Sequence, residues 1–389
     1  MSFPDSNAVV ISGMGGISPA GRDCAETRKN LYVPPPPPNR RYPVLNMPFR
    51  LLVVPVPKGR KKSDVLLSIA LREALSDAGL TPGEERMRRA GICLGSSGDV
   101  QFNDLYFLDD FRKNTLVNES LLRNFTSGSI TEKFAEELGI EGPVATISNA
   151  CVSSADAVSL AAMWIQSGKC DIALAGGVDR ISKMPLTGFH ALGVTSDGSC
   201  KPFDRDRNGL NLGEGAGIVV LESVRSAAAR KHKSPFFLAG FGAAGDAFHI
   251  TAPHAEGRGL EQAIRMALSR AGIGPESVSF VNAHGTGTEA NDLCEGTVLF
   301  RIFGEKLRYF STKSITGHAL GAAGILELIF TLIMLDEQRI PPSWNCSVPD
   351  PRLPAPPVME VTPVRGSYAM STSLAFGGCN TALIAGRCG

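Results

Sequence analysis

The chain has 389 residues, of which 43% are hydrophobic and 20% charged, and its formal net charge is +1. This balance describes a globular protein with a large core, and the length alone suggests about two or three domains. It gives no global electrostatic reason to bind nucleic acid or an anionic membrane, and no apolar stretch is long enough to span a bilayer.

Met1-Ser-Phe-Pro-Asp-Ser6 lacks the basic-then-apolar profile of a signal peptide. The nine cysteines are scattered, odd in number and without a C-x-x-C pair. That pattern argues against zinc and against a secreted disulfide framework, so a reducing, cytoplasmic setting is expected. The first strand is predicted over Ala8 to Ser12, with Gly13-Met-Gly-Gly-Ile-Ser18-Pro as a tight turn after it. Ser18 stands where a dinucleotide-binding G-x-G-x-x-G would place its third glycine, so nucleotide binding is rejected. Pro34 to Pro38 is a run of five prolines, without amide donors and with fixed φ, which predicts a stiff surface excursion.

Ala74-Leu-Ser-Asp-Ala-Gly-Leu-Thr-Pro82 is echoed by Ala267-Leu-Ser-Arg-Ala-Gly-Ile-Gly-Pro275. Each reads as a helix end with a glycine stop, followed shortly by an apolar strand, Ala90 to Leu94 or Val278 to Ala283. Each half then closes on a glycine-rich stretch and a strand, Gly213 to Leu221 and Phe376 to Ile384. The repeat predicts two similar α/β halves, residues 1–235 and 236–389. Between these signals, Ser153 to Gln166 and Gly324 to Leu335 read as buried helices, and Asp171 to Ala175 as a buried strand.

Three short segments carry the chemistry: Asn149-Ala-Cys151-Val-Ser-Ser, Asn282-Ala-His284-Gly-Thr286-Gly-Thr288, and Ser311-Thr-Lys313-Ser-Ile-Thr-Gly-His318. Together they supply a thiol, two imidazoles and a lysine, the equipment for making and breaking a thioester. Cys151 precedes a helix, whose free amides and dipole favour thiolate and supply part of an oxyanion hole. Neutral His284 and His318, donating Nε2–H to one oxygen, would stabilise an enolate; losing one such donor costs about 2.7–4 kcal/mol of barrier. A metal site is not expected, because no third ligand and no His-x-x-x-His spacing accompany them. His190, His232, His249 and His254 read as structural or exposed. Apolar neighbours on both sides argue that Lys313 is buried beside a carboxylate, Glu327 or Glu295.

With these residues in view the chain resembles the β-ketoacyl-acyl-carrier-protein synthases of the elongating Cys-His-His type. The matching wording runs through NAC151, GGVDRIS, KPFDRDRNGLNLGEGAGIVVLES, NAHGTGTEANDLCE, STKSITGHALGAAGILE and FGGCN, covering residues 8–386 with 30–60 least alike. The resemblance implies a thiolase-like five-layered α/β/α/β/α sandwich built from two duplicated halves, a homodimer or heterodimer, and decarboxylative Claisen condensation on acyl and malonyl thioesters. It implies a catalytic set of Cys151, His284, His318 and Lys313, with Lys313 and Glu327 orienting His318 and with Asp292 and Glu295 in the surrounding polar network. Cys151 and Phe376 would form the oxyanion hole, Phe376 would also gate the pocket, and Thr286 and Thr288 would contact the pantetheine arm. No cofactor of its own is implied, since phosphopantetheine arrives on the acyl carrier protein.

An acidic carrier needs a basic landing site, and Lys58, Arg60, Lys61, Lys62 and Lys201 are the candidates. The chain departs from the family's usual wording at Ala375, where glycine is usual, at Cys379, where threonine is usual, and in the stiff proline region. Two rivals remain at this stage: a non-catalytic chain-length partner of a heterodimer, which usually lacks the nucleophile, and a coenzyme A-dependent thiolase-like enzyme, whose two-cysteine, one-histidine set differs.

Overall fold

The computed structural model describes residues 8–58, 60–98, 112–113 and 130–388. The first half contains β1 (Val9–Ile17), α1 (Lys62–Ala78), β2 (Gly91–Gly95), β3 (Val144–Ile147), α2 (Ser153–Gln166), β4 (Ile172–Asp179), α3 (Lys183–Ala191) and β5 (Gly215–Ser223). The second contains β6 (Phe236–Gly245), α4 (Arg258–Ala271), β7 (Val278–Asn282), α5 (Glu289–Phe303), β8 (Tyr309–Phe310), α6 (Ala323–Glu337), β9 (Tyr368–Ala375) and β10 (Cys379–Arg387).

The strands run β3-β2-β4-β5-β1 in the first half and β8-β7-β9-β10-β6 in the second, the same order in terms of sequence position. In each, the first three are parallel and the last two are antiparallel additions. The two half-sheets meet where Val9 and Val10 pair with Leu238 and Phe237. Helix α1 covers the outside of β1 and β5, and α4 covers β6 and β10. Helices α2 and α6 pack on each other between the two sheets, which gives the five layers α/β/α/β/α. Their composition explains the place: from Ala323 to Leu335 α6 is buried throughout and apolar except for Glu327 and Thr331, as suits a helix with sheet on both sides.

The predicted turn after Ser12 is instead a continuation of β1, and the reason is the outer helix. A Cβ on Gly13 or Gly15 would lie 2.4 Å or 2.2 Å from the Ala74 or Ala70 carbonyl oxygen of α1. In the second half, a Cβ on Gly240 or Gly242 would lie 2.2 Å from the Ala267 or Ala263 oxygen of α4. Ala74 and Ala267 open the two copies of the sequence repeat, so the duplication extends to backbone contact.

The five prolines lie outside helix and strand and contain no cis peptide. Buried Arg50 ties them to the interior, its Nη2 donating to the Pro36 and Ser314 carbonyls, both at 2.8 Å. Among the described residues no helix is long and apolar enough to cross a membrane.

Candidate active site

Strand β3 ends at Ile147, and the chain then makes a tight turn, Ala150–Val152, before α2 begins. Ala150 has φ 46°, a left-handed conformation that an alanine holds only when the surroundings impose it. The imposing bonds are the Asn149 amide to Ser153 Oγ (2.8 Å) and Ser153 Oγ to the Ala150 carbonyl (2.6 Å). They aim Cys151 inward, where it is 6% exposed. The second half repeats the device: Leu320–Ala322 forms the same turn before α6, with Leu320 at φ 54°. Gly321 is the counterpart of Cys151. Its amide donates to Asp179 Oδ2 at 2.6 Å, and a Cβ there would lie 2.7 Å from that oxygen.

His318 Nε2 lies 3.1 Å from Cys151 Sγ, and its Nδ1 accepts the Leu320 amide at 3.2 Å. That acceptor bond puts the proton on Nε2, facing the sulfur. The His284 ring stands 5.1 Å away, centroid to centroid, at 84° to His318. Lys313 Nζ is 3.0 Å from His284 Nδ1, 2.6 Å from the His284 carbonyl oxygen, and in close ion-pair contact with Glu327 Oε1. An ammonium has only donors, so His284 Nδ1 accepts and its Nε2 carries the proton too. Both imidazoles are held well below the usual histidine pKa, first by burial and then by the Lys313 charge. They are therefore neutral donors, as the sequence reading requires.

Three expectations need correction. Lys313 and Glu327 orient His284, not His318, whose ring is set by the Leu320 amide instead. Lys313 is also a positioning residue rather than a catalytic one, since it is 1% exposed and does not line the cleft. Finally, the turn before α2 does not yield a low-pKa thiol. Burial pushes Cys151 up to about 12, outweighing the Lys313 charge and the Phe376 amide, which favour thiolate. Alkylation of Cys151 by iodoacetamide, followed by peptide mass, should accordingly rise about tenfold per pH unit from pH 6 to 9 without a plateau. A plateau near neutrality would restore the low-pKa reading.

Behind the imidazoles, Glu295 accepts the His284 and Gly285 amides (both 2.8 Å) and the Thr372 hydroxyl (2.7 Å). Asp292 accepts the Phe203 amide (2.7 Å) and the Gly287 amide (3.1 Å), which shapes the segment carrying Thr286 and Thr288. Burial raises the pKa of both carboxyls against these bonds. The reactive groups open into a cleft of about 420 Å³ that Cys151, His284, His318, Phe376, Thr286 and Thr288 all line.

Phe189 of α3, which the sequence reading left unassigned, also lines it. Its ring stacks on Phe376 at 5.4 Å and meets His318 edge-on at 6.4 Å. Asp179 escaped the sequence reading too: it gathers the Ser97, Gly98 and Gly321 amides, joining the two halves beside the site. The basic candidates are scattered in role and none lines the cleft. Lys62 is committed to the buried Glu214 and to the Leu52 carbonyl, which removes it from the docking set. Arg60 pairs with Glu137 at 3.4 Å, Lys58 and Lys61 are exposed, and Lys201 is half-buried.

Comparison with known proteins agrees with this geometry. Residues 61–227 match the family described as "Beta-ketoacyl synthase, N-terminal domain", and residues 236–347 match "Beta-ketoacyl synthase, C-terminal domain". A 3-oxoacyl-[acyl-carrier-protein] synthase 2 of Staphylococcus aureus is 32% identical over 406 residues, covering 97% of each chain. A chain of the ishigamide ketosynthase/chain length factor superposes with TM-score 0.89 at 31% identity, covering 98% of this chain and 99% of that one. A structure of a type II polyketide acyl carrier protein in complex with its ketosynthase gives TM-score 0.89 at 26% identity, with 98% and 99% coverage. A thiol and two proton-bearing imidazoles meeting between duplicated halves, and these matches along nearly the whole chain, have one explanation: the chain belongs to the β-ketoacyl synthases, acyltransferase-type condensing enzymes of the thiolase superfamily.

Proposed function

We propose that the protein is a 3-oxoacyl-[acyl-carrier-protein] synthase that extends a Cys151-bound acyl chain with malonyl-carrier protein, in fatty-acid or related polyketide synthesis. The observation that carries this reading is the convergence of Cys151 Sγ, His318 Nε2 at 3.1 Å, and the neutral His284 ring on one cleft. Cys151 attacks the acyl thioester carbonyl, and the amides of Cys151 and Phe376 hold the oxyanion. Pantetheine leaves as its thiol, taking the proton that Cys151 gives up. The exchange is proton-neutral overall: the Cys151 thiolate attacks, and the proton it has shed ends on the pantetheine sulfur.

Malonyl thioester then places its carbonyl oxygen between the Nε2–H groups of His284 and His318. Carbon dioxide departs, the electrons of the broken C–C bond form the enolate, and its carbon attacks the acyl-cysteine. Thiolate is expelled and takes a proton from solvent, leaving a 3-oxoacyl thioester. Thr286 and Thr288, whose hydroxyls sit 2.9 Å apart at the cleft wall, contact the pantetheine arm, and the phosphopantetheine belongs to the carrier. Lys58, Arg60, Lys61 and Lys201 remain to dock the acidic carrier, in a cytoplasmic enzyme.

Among the described residues strand β3 is a sheet edge, with Val144 39% exposed, a place for a second copy of the chain. The second reading is a heterodimer through the same edge, favoured by the likeness to a ketosynthase/chain length factor pair. Intact Cys151 speaks for this chain as the active partner. Purified protein mixed with acyl-carrier proteins of graded chain length should gain one acyl mass at Cys151, and malonyl-carrier protein should then release a 3-oxoacyl product two carbons longer. A folded protein with a free Cys151 thiol that accepts no acyl group, alone or with a partner subunit, would overturn the proposal.

A further inference from the structure

Asp156 lies on α2, five residues past the nucleophile, and its carboxylate joins two segments that no other bond described above connects. Asn149 Nδ2 donates to Asp156 Oδ2 at 2.7 Å, and Thr381 Oγ1 donates to Asp156 Oδ1 at 2.6 Å. Asn149 immediately precedes the left-handed Ala150 and lies two residues before Cys151. Thr381 lies on β10, three residues past Gly378 in the turn that carries Phe376. One half-buried carboxylate thus ties the nucleophile turn of the first half to the hairpin of the second. Both bonds come from neutral side-chain donors, an amide and a hydroxyl.

We propose that Asp156 is a positioning residue that fixes the Cys151 amide relative to the Phe376 amide, and so sets the oxyanion geometry for acyl loading. This rests on the oxyanion role given to those amides above. The histidines lie outside the tether, since His284 and His318 are set by Lys313 and the Leu320 amide. Loss of Asp156 therefore separates the two half-reactions. Removing the tether lets the two amides drift apart, and displacements near 1 Å in a reacting geometry cost on the order of 10²-fold.

The test compares Asp156→Ala, Asp156→Asn and Thr381→Val with the unaltered protein, scoring acyl loading of Cys151 and decarboxylation of malonyl-carrier protein separately. Asp156→Ala should lower kcat for loading by about 10 to 10² fold with KM little changed, and leave decarboxylation within about twofold. Asp156→Asn should recover most of the rate, because its oxygen still accepts from Thr381 and the Asn149 amide can flip to accept its NH₂. Thr381→Val should fall between. A parallel loss of both half-reactions, tracking the melting temperature, or wild-type loading in Asp156→Ala, would overturn the proposal.

Iodoacetamide alkylation of Cys151 keeps this separate from the functional reading, because it needs no carrier. If unaltered protein accepts no acyl group, the functional reading has failed, and Asp156 is judged on alkylation alone. Because the Phe376 amide also hydrogen-bonds the Cys151 sulfur and favours thiolate, its drift in Asp156→Ala lowers the alkylation rate about threefold or more, and an unchanged rate rejects the tether.

Discussion

Cys151→Ala protein carries no acyl group after incubation with any acyl-carrier thioester, and its condensation rate falls by on the order of 10⁴-fold or more. The effect is this large because the variant loses the bond-forming atom itself, while His284 and His318 keep their places. The remaining eight cysteines do not substitute. Cys200 is the instructive one: it is buried near Thr286, its thiol lies 3.1 Å from the Thr286 carbonyl, and burial pushes its pKa to about 12. It does not line the cleft. Intact mass with peptide mapping decides the matter, and an acyl group found on the Cys151→Ala protein would remove Cys151 from its role. The variant should fold normally, since alanine is smaller than the buried thiol it replaces and leaves only a small cavity.

His284→Ala gives the second large loss, and its selectivity is the informative part. Decarboxylation and condensation should fall by about 10²- to 10³-fold, the usual cost of one donor to a developing oxyanion. Acyl loading should stay within about threefold of the unaltered protein, because His318, not His284, faces Cys151 Sγ at 3.1 Å. Quantifying carbon dioxide release beside Cys151 mass separates the two steps. Equal losses in loading and decarboxylation would mean that both imidazoles serve the thiol, contrary to the geometry. In the variant the Lys313 ammonium loses the Nδ1 acceptor but keeps Glu327 and the backbone carbonyl at position 284. The lysine therefore remains paired, and the melting temperature should fall by only a few degrees.

The reactive set was legible in the sequence because each member sits in a short polar segment among small residues, between an apolar strand and an apolar helix. Cys151, His284 and His318 declare themselves that way. The link between Lys313 and His284 does not. It depends on β7 and β8 lying side by side, with Val281 opposite Tyr309, so that segments 29 residues apart end together. The resemblance implied His318 as the partner, and nothing in the local sequence corrects it. The glycines of β1 mislead for a related reason, since only the Ala70 and Ala74 carbonyls of α1 explain why a strand should contain them.

Phe189 carries no sequence signal at all; one aromatic ring in a short helix becomes significant only when the Phe376 turn is folded against it. The raised pKa of Cys151 is illegible in another sense. A helix start is visible in sequence, but the depth of burial that outweighs it is a property of the assembled halves.

The turn Leu320–Ala322 repeats the nucleophile turn in backbone and differs in its middle residue. With Gly321 packed against Asp179, no side chain can be installed there, so the chain is an internal pseudo-dimer with a single reactive thiol. Under the proposed function one copy keeps the cargo, while the other supplies the two imidazoles that handle the extender. Division of labour between copies has a practical consequence for altering the enzyme. Changes around the first turn should retune which acyl group is accepted, and changes around the second should retune how the malonyl unit is activated. Each specificity can then be varied without rebuilding the other.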